Sequence, residues 1–300
     1  SQTPVPGTHA KTLHRRSDQH QTCKDGILFL REGTIMNRSV FITGATVNTG
    51  LGIAEKFAKE GYNLFLGSRN AEKAEQTAAQ LSEKYGVFAK GYGMRIFDEE
   101  NVNEIFEDIK KTGYLINTLV LNAANLGIRQ EFLTVSMEDF MNVINTNIGW
   151  NFMLSRAAAK HMTELGGGSI VFVNSNTAYR AIPDRIAYSA SKSGALGMMR
   201  ALAFDLGKYK IRVNAVLPGM IKTDRWENNY NDCKNALSNF TPLGDIADFE
   251  DIANAVYYFG SDNSKNTTGA ELTVDGGNMI QLYPIIPENR QYFFCVSVCK

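Results

Sequence analysis

Cysteine is scarce in this 300-residue chain. Of Cys23, Cys233, Cys295 and Cys299 only the last two are close together, and no His/Cys cluster has zinc spacing. That excludes a disulfide-stapled scaffold and a zinc module, and the expectation is a reduced, cytoplasmic chain. Long apolar runs are missing too: none reaches the length of about 18 residues that a membrane span needs. The opening stretch "SQTPVPGTHAKTLHRRSDQHQ" has no apolar core of the kind a signal peptide carries. Neither sign of charge is in excess, since 31 Lys+Arg balance 31 Asp+Glu. Electrostatics therefore gives no reason to expect nucleic acid or an anionic membrane as partner. What remains, 44% hydrophobic and 21% charged residues, is ordinary for a globular protein.

The chain divides into three parts. Residues 1–36 are polar and aperiodic apart from "GILFL", and are expected to be a flexible or non-native leader, with Met36 as the natural start. Residues 284–300 follow a finished pattern and are expected to be an appended tail. Between them, over 37–283, short apolar stretches at 39–43, 63–67, 87–92, 118–122, 169–174, 211–216 and 271–274 alternate with helical ones. The helical stretches lie near 50–60, 70–85, 98–112, 136–165, 186–208 and 249–260. Strands rich in Val, Ile, Leu and Phe without alternation are buried on both faces. Strand–helix alternation of this length implies right-handed crossovers and one doubly wound parallel α/β sheet.

After the first strand comes "TGATVNTGLG", residues 43–52, with glycines at Gly44, Gly50 and Gly52. Glycines at a strand-to-helix turn permit positive φ and let the backbone approach a pyrophosphate at the helix N-terminus. A tight turn that binds nothing is the alternative. At the end of the second strand, "LFLGSRN" offers Ser68 and Arg69 and no acid. An acid there would accept from a ribose 2′-hydroxyl, whereas a guanidinium beside a hydroxyl suits a 2′-phosphate. NADPH is therefore expected in preference to NADH.

"AYSASKSGALG" places Tyr188 and Lys192 four apart, hence on one face of a helix. A phenol titrates near pH 10, and a neighbouring ammonium lowers that value towards a useful range for proton transfer. The spacing alone is weak evidence, because Tyr230 and Lys234 share it. Only Tyr188 follows a serine, Ser175, by thirteen residues from the end of a strand.

Taken together, these stretches resemble the short-chain dehydrogenase/reductase family over about residues 38–280. Its T-G-x-x-x-G-x-G loop is matched once Thr46 and Val47 are treated as an insertion. "LVLNAA" resembles its "LVNNAG", with Asn122 kept and Leu121 and Ala124 departing. "NTNIGW" supplies Asn147, "IRVNAVLPGMIKTD" its P-G turn, and "TGAELTVDGG" its closing strand. The family's aspartate after the third strand is replaced by Arg95, followed by Ile96. The resemblance implies a single Rossmann-type sheet of about seven strands with helices on both faces. It also implies a catalytic set of Ser175, Tyr188, Lys192 and Asn147. Cofactor contacts would come from Gly44, Asn48, Thr49, Gly50, Leu51, Gly52, Ser68, Arg69, Arg95, Ile96, Asn122, Ala123, Pro218, Gly219, Ile221 and Thr223, together with Tyr188 and Lys192. Asn147 would hold a water against Lys192, and a tetramer or dimer would form partly through the helices at 136–165 and 186–208.

The activity implied is NADPH-dependent reduction of a carbonyl: a 3-oxoacyl thioester, a steroid or a small ketone. Two alternatives stand beside it. The glycines also fit, without a gap, the G-x5-[SG]-x-[AG] spacing of enoyl-thioester reductases of the same superfamily. Those enzymes keep a Tyr seven residues before the Lys, where this chain has Arg185. A non-catalytic NADP-binding regulator on the same fold is the other; such proteins usually lose the Tyr or the Lys. Substrate selection is expected to fall to 222–245, which carries Trp226, Tyr230 and Phe240.

Overall fold

A computed structural model describes residues 38–223 and 239–282. All seven strands are parallel, in the order β3-β2-β1-β4-β5-β6-β7. They are β1 (Ser39–Thr43), β2 (Asn63–Ser68), β3 (Ala89–Gly93), β4 (Thr118–Leu121), β5 (Gly168–Val173), β6 (Ile211–Pro218) and β7 (Glu271–Val274). The helices are α1 (Asn48–Lys59), α2 (Ala71–Tyr85), α3 (Glu99–Lys111), α4 (Met137–Ile144), α5 (Asn151–Glu164), α6 (Ile186–Leu206) and α7 (Phe249–Gly260). The doubly wound sheet expected from the alternation is the one observed. No helix among the described residues is long and apolar enough to cross a membrane.

Side chains alternate across each strand, so the non-alternating apolar runs feed two cores. Phe41, Phe65, Leu119, Leu121 and Phe172 face α3, α5 and α6, where Ile105, Phe106, Leu154 and Met199 meet them. Val40, Ile42, Leu64, Val120 and Val171 face the other way, onto Ile53 and Phe57 of α1 and Ile252 and Val256 of α7. Each such fully buried side chain stabilises the fold by about 1.5–3 kcal/mol.

Several boundaries shift by one or two residues from the sequence pattern, and two departures bear on the site and the sheet edge. β3 pairs over Ala89–Gly93 and not from residue 87, because its ladder with β2 begins at Leu64↔Ala89. The helix expected over 136–165 is interrupted by a π-helical turn, Asn145–Trp150, between α4 and α5. Side chains bond back to carbonyls around it: Thr146 Oγ1 to Asn142 O (2.8 Å), Asn151 Nδ2 to Asn147 O (2.9 Å) and Ser155 Oγ to Asn151 O (2.7 Å). Asn147 lies inside this turn, and the extra residue per turn re-aims its side chain.

The strand order reverses between β1 and β4. A crevice therefore opens beyond their carboxyl ends, which is where open α/β sheets take ligands.

Candidate active site

The glycine turn closes on that crevice. Gly44 has φ +67, in the left-handed region, and its N–H donates to Gly67 O at 2.8 Å. A Cβ on Gly50 would stand 1.9 Å from Gly44 O, so the turn and the first coil of α1 fit only without one. Asn122, just past β4, secures the turn from the other side. Its Nδ2 donates to Thr43 O (3.0 Å) and Gly44 O (3.2 Å). The Thr43 hydroxyl in turn accepts from the N–H groups of Asn122 and Ala123, both at 3.0 Å.

Helices α2, α3, α4 and α7 are capped by the side chains of Asn70, Asp98, Ser136 and Asp248. α1 is not: its N-cap is Val47, which gives no side-chain bond, and its first turn holds no acid. An uncapped helix start with a partial positive charge, behind a left-handed glycine, suits a pyrophosphate. The two extra residues have distinct places. Val47 is 43% exposed, whereas Thr46 is buried and its Oγ1 lies 3.4 Å from Ser68 Oγ at the end of β2. Arg69 next to it is exposed and has no ion-pair partner among the described residues. Arg95 differs: its guanidinium is held by Asp98 (2.6 Å) and, more loosely, Glu104 (3.7 Å), with Ile96 beside it 40% exposed.

At the far side of β4, the proton-transfer candidates gather around the end of β5. Lys192 is buried, its Nζ donating to Val173 O at 3.0 Å and lying 5.6 Å from the Tyr188 ring centre. Val173 is two residues before Ser175, so this bond joins the serine turn to α6. Asn174 adds a second tie through Nδ2 to Lys192 O, 3.0 Å. Burial without a compensating anion draws the Lys192 pKa down to about 8. Its ammonium has three donors and gives one to Val173 O, which leaves two to offer into the crevice. Asn147, 3% exposed, uses its side chain as a strut. Oδ1 accepts from Asn125 N (2.7 Å), while Nδ2 donates to Asn125 O and to Ser191 Oγ, both 2.9 Å. Ser191 passes the contact on by donating to Tyr188 O at 2.7 Å. None of these bonds reaches Lys192 Nζ.

Along the rest of the crevice, Pro218 ends β6 and Gly219 N donates to Val274 O at 3.0 Å. Ile221 pairs with Ala247, and Thr223 is half-buried where the described segment ends. Trp226, Tyr230 and Lys234 lie outside the described residues. Arg185, seven residues before Lys192, is no proton donor: its guanidinium donates to Leu126 O (3.0 Å) and Gly127 O, clamping the loop after β4. Sequence reasoning missed Asn125, Ser191 and Thr177, while Thr43 stood in the T-G loop motif without an assigned role. Only Thr177 had a local signal, a hydroxyl two residues after Ser175.

A nucleotide turn at the switch point, with a phenol, an ammonium and a serine across the crevice, defines a dinucleotide-dependent oxidoreductase. Comparisons with known proteins agree. The family model described as Enoyl-(Acyl carrier protein) reductase matches residues 44–278. The 3-oxoacyl-[acyl-carrier-protein] reductase FabG of Chlamydia trachomatis is 31% identical over 247 residues, covering 82% of this chain and 98% of that protein. The 7alpha-hydroxysteroid dehydrogenase of Clostridium sardiniense is 33% identical over 241 residues, covering 79% and 91%. Among solved structures, ElxO with NADP bound superposes with a TM-score of 0.75 at 30% identity, covering 82% of this chain and all of that one. The chain belongs to the short-chain dehydrogenase/reductase family, and it is an oxidoreductase acting on CH–OH/C=O groups.

Proposed function

We propose that the protein is an NADPH-dependent carbonyl reductase, with a 3-oxoacyl thioester, a steroid ketone or a small ketone as substrate. The observation that carries the reading is the junction at the end of β5, where the buried Lys192 ammonium binds Val173 O beside the Tyr188 ring and two residues from Ser175. The FabG and hydroxysteroid dehydrogenase relatives support the substrate classes. When bound, the reduced nicotinamide supplies the hydride. Ser175 donates a hydrogen bond to the substrate carbonyl oxygen and so polarises and places it. Tyr188 delivers the proton from its phenol oxygen. Lys192 favours the phenolate by its charge and holds ribose hydroxyls with its two remaining donors. Asn147 fixes the relative positions of the Asn125 turn and α6, and through water keeps Lys192 in touch with solvent.

NADPH is favoured over NADH by Arg69, which has no carboxylate partner, and by the Thr46–Ser68 hydroxyl pair beside it. Arg95, engaged by Asp98, is the weaker contributor. The protein works in the cytoplasm as a homo-oligomer assembled through the α4–α5 and α6 faces, where Met137 (73% exposed) and Phe204 (88% exposed) stand out of the surface.

The glycine spacing and the description of the matching family model favour a second reading, an enoyl-thioester reductase. Against it, the position of that enzyme's Tyr is held by Arg185, which is committed to two carbonyls. The test follows oxidation of NADPH and NADH against a panel of a 3-oxoacyl thioester, a steroid ketone, a β-keto ester and a crotonyl thioester. Ketone turnover with NADPH is the expected result; turnover of the crotonyl thioester alone would replace the carbonyl reading with the enoyl one.

A further inference from the structure

Ser175 caps the short 3-10 turn Asn176–Ala178 that follows β5. Its Oγ receives two hydrogen bonds from a single residue. Thr177 N–H donates at 3.1 Å, and the Thr177 hydroxyl donates at 2.9 Å. A hydroxyl oxygen has two lone pairs and one proton. With both lone pairs met by Thr177, the Ser175 oxygen has no accepting capacity left, and its own proton is the one group still available. Ser175 is 8% exposed, so bulk water does not compete freely for that geometry.

We infer that Thr177 is a positioning residue that locks Ser175 into the donor state. The inference rests on the carbonyl-reduction reading, because only a substrate oxygen that gains electron density needs a donor from Ser175. The backbone N–H of residue 177 would survive almost any substitution; the second bond is what the threonine side chain adds. Without it, one Ser175 lone pair is free. The serine can then accept from a neighbouring hydroxyl, and an acceptor facing the crevice competes with the substrate for the phenol proton. Two donors into one oxygen also polarise its O–H and strengthen the bond it gives.

The test compares wild type, Thr177→Val, Thr177→Ser, Ser175→Ala and the Ser175→Ala/Thr177→Val double variant. Valine keeps the β-branched shape and the N–H; serine restores the hydroxyl. Equal unfolding temperatures and equal NADPH affinity by fluorescence show that the turn is intact. The expected result is a fall in kcat of about tenfold for Thr177→Val, with ketone KM changed less than about twofold, and recovery in Thr177→Ser. On the Ser175→Ala background the valine adds no further loss, since Thr177 acts through Ser175. Equal kcat for wild type and Thr177→Val would overturn the inference, and so would the same tenfold loss on the Ser175→Ala background. A wild-type enzyme that reduces no ketone would overturn the carbonyl reading and this inference with it. Ketone turnover unaffected by the valine overturns the inference alone.

Discussion

Lys192 is the group whose charge the fold opposes most clearly. It is 6% exposed, and burial lowers its pKa from an ordinary lysine's 10.5 to about 8. A folded-state pKa below the unfolded one means that the unfolded chain binds the proton more tightly. Stability therefore rises as pH climbs from about 8 to 10.5, and sits at its lower level below that window. At about 1.4 kcal/mol per pH unit, the gap costs the cofactor-free fold about 3 kcal/mol at neutral pH. Lys192→Met keeps the apolar stem and deletes the charge. Losing the bond to Val173 O takes back about 1 kcal/mol. The variant is thus expected to be about 2 kcal/mol more stable than wild type at pH 7 and about 1 kcal/mol less stable at pH 10.5. Urea unfolding of both proteins without cofactor, at pH 7, 8.5 and 10.5, reads this directly, because the titrations they share cancel in the difference. A difference that stays constant with pH would refute the claim that the site holds a strained ammonium. The same variant should lose reductase activity, since stability and function pull against each other at this residue.

Two further outcomes follow from the crevice. Arg69→Glu should raise the KM for NADPH by about 10- to 100-fold while leaving that for NADH within about threefold, measured by initial rates with each cofactor; equal effects on both would remove Arg69 from the 2′-phosphate site. Gly50→Ala places a methyl 1.9 Å from Gly44 O, so the turn must open. NADPH binding by fluorescence titration should be abolished, with a loss of at least about 2 kcal/mol of stability in urea; wild-type affinity would contradict the close approach of turn and helix.

Much of this was legible in the sequence, for physical reasons that also mark where legibility ends. Strands buried on both faces show as short apolar runs, so β1, β4 and β5 could be read directly. β3 is only half-buried at the sheet edge, and its apolar pattern begins two residues before its ladder with β2. The π turn at Asn145–Trp150 was invisible because helical periodicity on either side of it survives one extra residue. Gly44, Tyr188, Lys192 and Ser175 announced themselves by local spacing. Asn122 and Asn147 showed by motif, but their contacts did not: Asn125 and Ser191 meet Asn147 only across 22 and 44 positions, and Thr43 meets Asn122 across 79. Arg95 showed the opposite limit. The motif places a cation there, and its ion pair with Asp98, three residues on, is a contact that the motif does not encode.

Replacement of one oxygen tests the central assignment most directly. Tyr188→Phe removes the phenol oxygen and leaves the ring, largely buried in the first turn of α6, 5.6 Å from Lys192 Nζ. NADPH binding is followed by fluorescence, and single-turnover reduction of whichever panel ketone wild type reduces best is followed by loss of absorbance. The expected result is cofactor affinity within about threefold of wild type and a reduction rate lower by at least about 100-fold. Full turnover in Tyr188→Phe would show that another group delivers the proton, and the proposed chemistry would be wrong.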